Sequence, residues 1–205
     1  MLITMLDWLI NPLNNFDFYL FYLINVNMKN YILTLIMPLI SEIGVKEYWI
    51  LLCGLIYFIG GKKAKKVAIL CILAVVLSFF ANEVLKIIFE RPRPFVVHYG
   101  INLLADMGST VFSPTDYSFP SGHTVVIFAV CTIFGKKYGH LYLFMALACL
   151  VGFSRIYLGV HYPLDVIFGA LFGISVSLLI LRYENQIFDG FEELINKIKS
   201  FNSKT

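Results

Sequence analysis

One stretch of the chain combines cationic side chains with two prolines, at the point where a long apolar run ends. Lys86 lies in the last turns of a predicted helix, and Arg93 follows in the sequence ERPRP of residues 90–94. Because prolines end a helix and stiffen the chain beyond it, we expect Arg93 to be held on rigid backbone, where it could bind an anion. Lys86 could instead pair with Glu83 or Glu90, at helical spacing.

A second stretch, Pro120-Ser121-Gly122-His123, comes directly before another apolar run. Ser121 and Gly122 would therefore occupy the start of a helix. The free N–H groups and the macrodipole at such an end favour an anion, and a glycine lets the anion approach the backbone. Two simpler roles remain open, since Ser121 could be a plain N-cap and His123 a histidine at the membrane interface.

A third stretch places Ser154-Arg155 at the end of an apolar run, followed by His161 and Asp165. An arginine within an apolar run is costly and usually marks a functional site. Asp165 comes four residues after His161, so its carboxylate could accept the imidazole N–H, fix the tautomer and stabilise the imidazolium. The alternative is a buried salt bridge between Arg155 and Asp165.

Composition predicts that the elements holding these residues lie in a membrane. Of the 205 residues, 59% are hydrophobic and 14% are charged, whereas soluble domains have about 25% charged residues. The net charge of +3 is small and its basic residues lie in short clusters between apolar runs, so we expect no nucleic-acid partner. The four cysteines each lie in an apolar run, where cysteine behaves as a small hydrophobe, and indicate neither a metal site nor disulfides.

About six apolar runs are candidates for membrane-spanning helices, which need about 20 residues each. They cover approximately residues 28–43, 48–59, 67–89, 124–134, 141–158 and 164–181. We therefore predict an all-α polytopic membrane protein that forms a single domain over residues 1–205. The ends show apolar residues at helical spacing, which predicts a peripheral N-terminal segment over about 1–27 and a cytoplasmic amphipathic tail over about 185–205.

The basic residues of the short loops predict the orientation, because lysine and arginine accumulate on the cytoplasmic side. They are Lys62, Lys63, Lys65 and Lys66 before the third run, Lys136 and Lys137 after the fourth, and Arg182 after the sixth. Six spans with both ends inside place all of them in the cytoplasm. The loop of residues 90–120 and the turn around His161 then lie at the outer face, so we expect the active site there.

Taken together, the three stretches resemble the signature of the type 2 phosphatidic acid phosphatase superfamily. The resemblance rests on Lys86, six residues, Arg93-Pro94; on Pro120-Ser121-Gly122-His123; and on Ser154-Arg155, five residues, His161, three residues, Asp165. Every position of the signature is filled. The resemblance implies an integral membrane enzyme that removes phosphate from a lipid phosphate or diphosphate.

The resemblance also implies a role for each matching residue. His161 would attack phosphorus to form a phosphohistidine, with Asp165 orienting and activating it. His123 would protonate the departing group and later activate water. The phosphoryl oxygens would be held by Lys86, Arg93, Ser121, Gly122 and Arg155. Because three cations could neutralise the phosphoryl charge, we expect neither a metal ion nor another cofactor.

Some residues and alternatives lie outside the signature. We interpret Arg91 as a solvated loop arginine, although it could hold a second phosphate or a headgroup, and we interpret His98, His140 and Asp106 as loop residues. Within the family, the ERPRP stretch and the small body are similar to bacterial enzymes that act on undecaprenyl diphosphate, which favours a polyprenyl diphosphate and a prokaryotic plasma membrane. Phosphatidate and phosphatidylglycerol phosphate remain alternatives, followed by a vanadate-dependent haloperoxidase and a non-enzymatic lipid-binding or transport protein.

Overall fold

The computed structural model of the chain describes residues 13–104 and 117–202. Among these residues the regular secondary structure consists of helices and no strand, so the all-α prediction is confirmed. The helices are α1 (Leu13–Asn27, π-helical over Leu23–Asn27), α2 (Tyr31–Glu42), α3 (Lys46–Ile59), α4 (Lys62–Phe89), α5 (Pro94–Val97), α6 (Gly122–Tyr138), α7 (Leu141–Tyr157), α8 (Pro163–Arg182) and α9 (Glu184–Asn202).

The polar stretches of the sequence lie at helix ends. α4 ends where Glu90 adopts a left-handed conformation with a φ of 43°, and Pro92 prevents the helix from continuing. α6 begins after Ser121, whose backbone is extended. α8 begins at Pro163, which suits a first helical turn because it has no N–H to leave unpaired. One helix therefore ends, and two helices begin, close to the candidate site residues.

The packing of α6 on α8 aligns two of these ends. α6 is largely buried against α4, α7 and α8. A side chain at Gly169 of α8 would crowd the Ser121 carbonyl, and one at Gly173 would overlap the Val125 carbonyl, so these glycines permit a close approach. At the polar end the Ser121 N–H donates to the Asp165 carbonyl over 3.1 Å. The start of α6 is thus fixed beside the start of α8.

Two segments are long and apolar enough to cross a membrane. One is α8, and the other is Lys62–Val97, which joins α4 to α5. α1 and α2 reach that length only as a pair and are bent by 118° at the break between them, while α7 is apolar but has 17 residues. At least two candidate spans are therefore present in the described residues. The prediction of about six spans stays a prediction.

The N-terminal segment is described from residue 13 onward, and this part packs against the polar end of the bundle. Phe21 of α1 is fully buried, with its ring centroid 5.5 Å from that of Tyr162. The buried Asn25 side chain donates to the carbonyls of Tyr157 and Asn102, over 2.8 Å in each case. α1 is thus tied to the turn between α7 and α8, which the prediction of a peripheral segment did not anticipate.

At the other end of the chain, α9 covers most of the segment for which an amphipathic tail was predicted. Its first turn is docked on the bundle, because Glu184 pairs with Lys137 at the end of α6. Ile187 and Phe188 pack against the core that α3, α4, α6 and α8 form. This docked turn lies at the end of α6 and α8 opposite to the polar helix starts.

Candidate active site

His161 lies in the turn between α7 and α8, and its side chain is only 2% exposed. The turn depends on Gly159, which has a φ of 82° and whose missing side chain would meet the Asn102 carbonyl oxygen at 2.5 Å. The two ring nitrogens have different surroundings: Nδ1 lies 3.5 Å from Asp165 Oδ2, whereas Nε2 lies 3.4 Å from Arg93 Nη1. The imidazole therefore lies between a carboxylate and a guanidinium.

Asp165, in the first turn of α8, is fully buried and accepts hydrogen bonds on both oxygens. Oδ2 accepts the Tyr162 N–H over 2.8 Å and the Ser118 hydroxyl, and Oδ1 accepts Arg91 Nη1 over 2.6 Å. These contacts fix the carboxylate with Oδ2 toward His161. The sequence left open a salt bridge from Arg155 to Asp165, whereas the arginine that forms an ion pair with Asp165 is Arg91.

The three cations of the signature converge on His161. Arg93 is 4% exposed and donates to the Val160 carbonyl over 3.0 Å, and the 6% exposed Arg155 donates to the Ser41 hydroxyl. Lys86 pairs with Glu83 over 3.2 Å, one of the contacts that helical spacing suggested. All three charges act on the imidazole of His161.

Burial lowers the pKa of His161 well below its ordinary value, and the charges of Arg93, Arg155 and Lys86 lower it further. Burial in a low dielectric disfavours a charged imidazolium, and nearby cations disfavour it again. The ring is therefore neutral near pH 7, and a neutral imidazole has the lone pair that a nucleophile needs.

The start of α6 brings Ser121, Gly122 and His123 to the same place. Ser121 occupies the N-cap position of α6, but its side chain makes no capping hydrogen bond and instead accepts the Thr124 hydroxyl over 2.9 Å. A side chain at Gly122 would meet the Asn82 amide nitrogen at 3.4 Å. The N–H groups of the first turn of α6 face this polar end of the bundle.

His123 lies close enough to the other site residues for the charges of Arg155, His161 and Arg93 to act on it. It is packed from the other side by the turn between α2 and α3, because a Cβ at Gly44 would lie 2.9 Å from His123 Cβ. The structure therefore brings together all eight predicted site residues at one end of the helices.

Three further parts of the chain contribute residues that the sequence patterns did not single out. Ser41 comes from the last turn of α2, Gly44 from the α2–α3 turn, Ser118 from the segment before α6, and Asp17 from α1. The interpretation of Arg91 as a solvated loop arginine is wrong, because it forms ion pairs with Asp165 and Asp17. Asp17 was the one residue with a visible signal, since it is an acidic residue within an otherwise apolar segment.

Of the other three residues that we interpreted as loop residues, the structure describes His98 and His140. His98 stacks on Phe18 with ring centroids 3.9 Å apart. His140 precedes α7, at the end of the bundle far from His161. Asp106 lies outside the described residues, and no group of three histidine, cysteine or acidic side chains suited to a metal ion occurs in the described part of the chain.

A buried His–Asp pair, three cations and a helix N-terminus at one end of an apolar bundle are chemically suited to phosphoryl transfer. The comparisons with known proteins define the family. The family model described as the PAP2 superfamily matches residues 66–189 of the sequence, which is more than half of the chain. The chain belongs to the PAP2 superfamily, as the resemblance implied, and it is a membrane lipid phosphatase.

Individual relatives agree with this assignment. The undecaprenyl-diphosphatase of Sulfolobus acidocaldarius is 34% identical over 174 residues, which are 83% of this chain and 79% of the relative. The crystal structure of Aquifex aeolicus LpxE gives a TM-score of 0.67 at 32% identity, covering 81% of this chain and 94% of LpxE. A PAP2 type phosphatidylglycerolphosphate phosphatase from Bacillus subtilis gives 0.65 at 25% identity, covering 86% and 88%.

Proposed function

We propose that the chain hydrolyses a polyprenyl diphosphate, with undecaprenyl diphosphate as the favoured substrate, through a phosphohistidine at His161. The choice of lipid is supported by the name of the Sulfolobus acidocaldarius relative, an undecaprenyl-diphosphatase that aligns over most of both chains. The choice of nucleophile is supported by one observation: His161 Nδ1 faces Asp165, while Nε2 faces the guanidinium of Arg93. Nε2 is therefore the nitrogen directed at the cations that would hold the phosphoryl group.

In the first step, the Nε2 lone pair of His161 attacks the terminal phosphorus, and the bond from this phosphorus to the bridging oxygen breaks. His123, which the negative charge of the bound phosphoryl group favours in its protonated form, donates its proton to the departing lipid monophosphate. The imidazole becomes cationic as the N–P bond forms, and the buried carboxylate of Asp165 stabilises that charge. Lys86, Arg93 and Arg155 neutralise charge on the equatorial oxygens, which is the main requirement of phosphoryl transfer.

In the second step, His123 takes a proton from water while the water oxygen attacks phosphorus. The N–P bond breaks, inorganic phosphate leaves and His161 regains its lone pair. The Gly122 N–H at the start of α6, together with the Ser121 hydroxyl, would bind phosphoryl oxygens in both steps, because a helix N-terminus favours anions.

We place this chemistry at the outer face of a prokaryotic plasma membrane. Support comes from the opposite end of the bundle, where basic residues from separate helices gather: Lys63 lies over the ring of Tyr138 at 5.0 Å, and Lys137 pairs with Glu184. Basic residues on one side indicate the cytoplasmic end. The site residues lie at the other ends of α4, α6 and α8.

The substrate is tested with the purified full-length protein and a panel of undecaprenyl diphosphate, phosphatidate and phosphatidylglycerol phosphate. We expect the highest kcat/KM for phosphate release from undecaprenyl diphosphate. Preference for phosphatidylglycerol phosphate would favour the second candidate, which the likeness to the Bacillus subtilis phosphatase supports. His161→Asn should release no phosphate from any of the three, whereas His140→Asn, a matched change at the far end of α7, should leave release unchanged.

Orientation is tested by thiol labelling of intact cells. Cys149 is the exposed cysteine among the four, so it is first replaced by serine. A cysteine at Tyr99, which is fully exposed after α5, should react with an impermeant reagent from outside, and one at Gly61, before α4, should react only after lysis. The reverse pattern would invert the proposed topology.

A further inference from the structure

Arg91 lies outside the residues to which the signature gives a role, yet it contacts the candidate catalytic carboxylate directly. Its Nη1 is 2.6 Å from Asp165 Oδ1, and its Nη2 is 2.6 Å from Asp17 Oδ2. The guanidinium carbon lies 4.1 Å from the centroid of the Tyr162 ring, which covers its flat face. These contacts hold the guanidinium in one plane between two carboxylates.

Asp17 completes the arrangement from a helix that is distant in sequence. It is 1% exposed, and its second oxygen accepts the Leu164 N–H over 2.8 Å, in the first turn of α8. A carboxylate is almost never buried in this way unless it is paired. Asp17 thus joins α1 to Arg91 by an ion pair, and to the first turn of α8, next to Asp165, by a hydrogen bond from the Leu164 N–H.

We propose that Asp17 and Arg91 are positioning residues that hold Asp165 in the orientation and charge state that activate His161. This inference rests on the proposed function, since it assigns their effect to the His161–Asp165 pair. Arg91 occupies Oδ1 of Asp165, and so Oδ2 is the oxygen that remains toward Nδ1 of His161, at 3.5 Å.

The combined charge of Asp17, Arg91 and Asp165 is suited to stabilising the proposed phosphohistidine intermediate. Two carboxylates and one guanidinium have a net charge of −1, and they lie on the Nδ1 side of His161, opposite to the phosphate-binding cations. As Nε2 bonds to phosphorus, positive charge develops on the ring, and a fixed negative cluster in a low-dielectric site stabilises that charge without reorganisation. Loss of Asp17 removes part of that negative charge, whereas loss of Arg91 frees Oδ1 of Asp165 and leaves two buried carboxylates without the cation between them. Either change should slow phosphoenzyme formation more than it weakens substrate binding.

A second possibility is that Arg91 binds the additional phosphate of a diphosphate substrate. Both of its terminal nitrogens already donate to carboxylates, and its face is covered by Tyr162. These contacts favour the positioning role. The two roles also predict different kinetics, because a substrate ligand acts mainly on KM for diphosphates, whereas a positioning residue acts on kcat for every substrate.

The test uses Asp17→Asn, Arg91→Gln, Arg91→Lys and the double variant Asp17→Asn/Arg91→Gln in the full-length purified protein. We expect Arg91→Gln to lower kcat by about 10- to 100-fold with little change in KM, less than the roughly 10⁴-fold that loss of an orienting carboxylate itself costs. Arg91→Lys should recover part of that loss. kcat is measured with both undecaprenyl diphosphate and phosphatidate.

The double variant gives the sharpest result. Without a cation between them, the two buried carboxylates compete to retain one proton, so Arg91→Gln should shift the acid limb of the pH–rate profile to higher pH. Asp17→Asn removes the second carboxylate, and we expect the double variant to be more active than Arg91→Gln alone. The groups that face Asp165 from its neighbours are Asp17, Arg91, Ser118, Tyr162 and His161.

The matched control is Lys137→Gln/Glu184→Gln, which removes an ion pair between two helices at the other end of the bundle. It should leave kcat and the pH profile unchanged. Lower thermal stability of the Asp17 and Arg91 variants with wild-type kcat and pH profile would mean a structural role only and would overturn the inference. So would a rise in KM confined to the diphosphate. Full activity of His161→Asn would instead overturn the proposed function, whatever the Arg91 variants do.

Discussion

The turn between α2 and α3 gives a direct way to move His123 without replacing it. Gly44 is buried, and a Cβ added to it would lie 2.9 Å from His123 Cβ and 2.8 Å from Val151 Cγ1. Ordinary contacts between such atoms begin at 3.4 Å. Gly44→Ala therefore requires His123, Val151 or the turn itself to shift by about half an ångström, since interiors are too densely packed to absorb the methyl group in place.

We expect Gly44→Ala to lower kcat/KM by about tenfold. A misplacement of about 1 Å can cost on the order of 10²-fold in rate, and half that displacement corresponds to roughly the square root of this factor. Overpacking should also lower the free energy of unfolding by about 1 to 3 kcal/mol. The measurements are steady-state phosphate release and thermal unfolding of the purified protein in detergent.

Gly54→Ala is the matched control, because nothing lies within 4 Å of a Cβ at Gly54 in the neighbouring helix α3. Alanine also favours a helix over glycine by up to about 1 kcal/mol, so this variant should be at least as stable as the wild type and equally active. If Gly44→Ala kept the kcat/KM of Gly54→Ala, the α2–α3 turn would not support His123, and the assignment of Gly44 to the site would be wrong.

Three further outcomes follow from the site and its supports. Because burial and neighbouring cations lower the pKa of His161, the acid limb of kcat/KM that belongs to this residue should lie below the ordinary histidine value of about 6.5, and Lys86→Gln should move it to higher pH by removing one of those cations. Asn25→Ala removes the side-chain hydrogen bonds to the carbonyls of Tyr157 and Asn102 and should lower the free energy of unfolding by about 2 to 4 kcal/mol in thermal melts, while an unchanged melting temperature would refute the supporting role of α1. Phosphate release should persist in excess EDTA, because three cations neutralise the phosphoryl charge, and a loss reversed only by Mg²⁺ would contradict this reasoning.

The sequence predicts the eight site residues because each has a chemically unusual place in an apolar chain. Lys86, Arg93 and Arg155 are cations at the ends of apolar runs, and the spacing from His161 to Asp165 is short enough for the two to meet within one turn. Such patterns can be read from the sequence because prolines and helix starts determine the local backbone around these residues. Their convergence at one end of the helices agrees with the family resemblance that was based on these residues.

The supporting residues could not be predicted in the same way, because their partners are far apart in the sequence. Arg91 and Asp17 are separated by 74 residues, and so are Arg91 and Asp165. A lone arginine after a helix is usually solvated, and nothing in its own neighbourhood reveals two carboxylates brought by α1 and α8. Gly44 is similar, since the need for a glycine comes from His123 on another helix and leaves no local signal.

Two glycines in the apolar interior of the bundle also contribute to the geometry of the site. Gly169 and Gly173 lie along α8 beyond the end that bears the candidate site residues, yet they determine how closely α6 and α8 approach. Both helices begin at the site, one with His123 in its first turn and the other with Asp165 in its first turn. A wider separation at the glycines would therefore move His123, the proposed general acid, away from Asp165, the carboxylate proposed to orient His161. Small residues in the apolar interior are in this sense part of the catalytic geometry, although they contact no substrate.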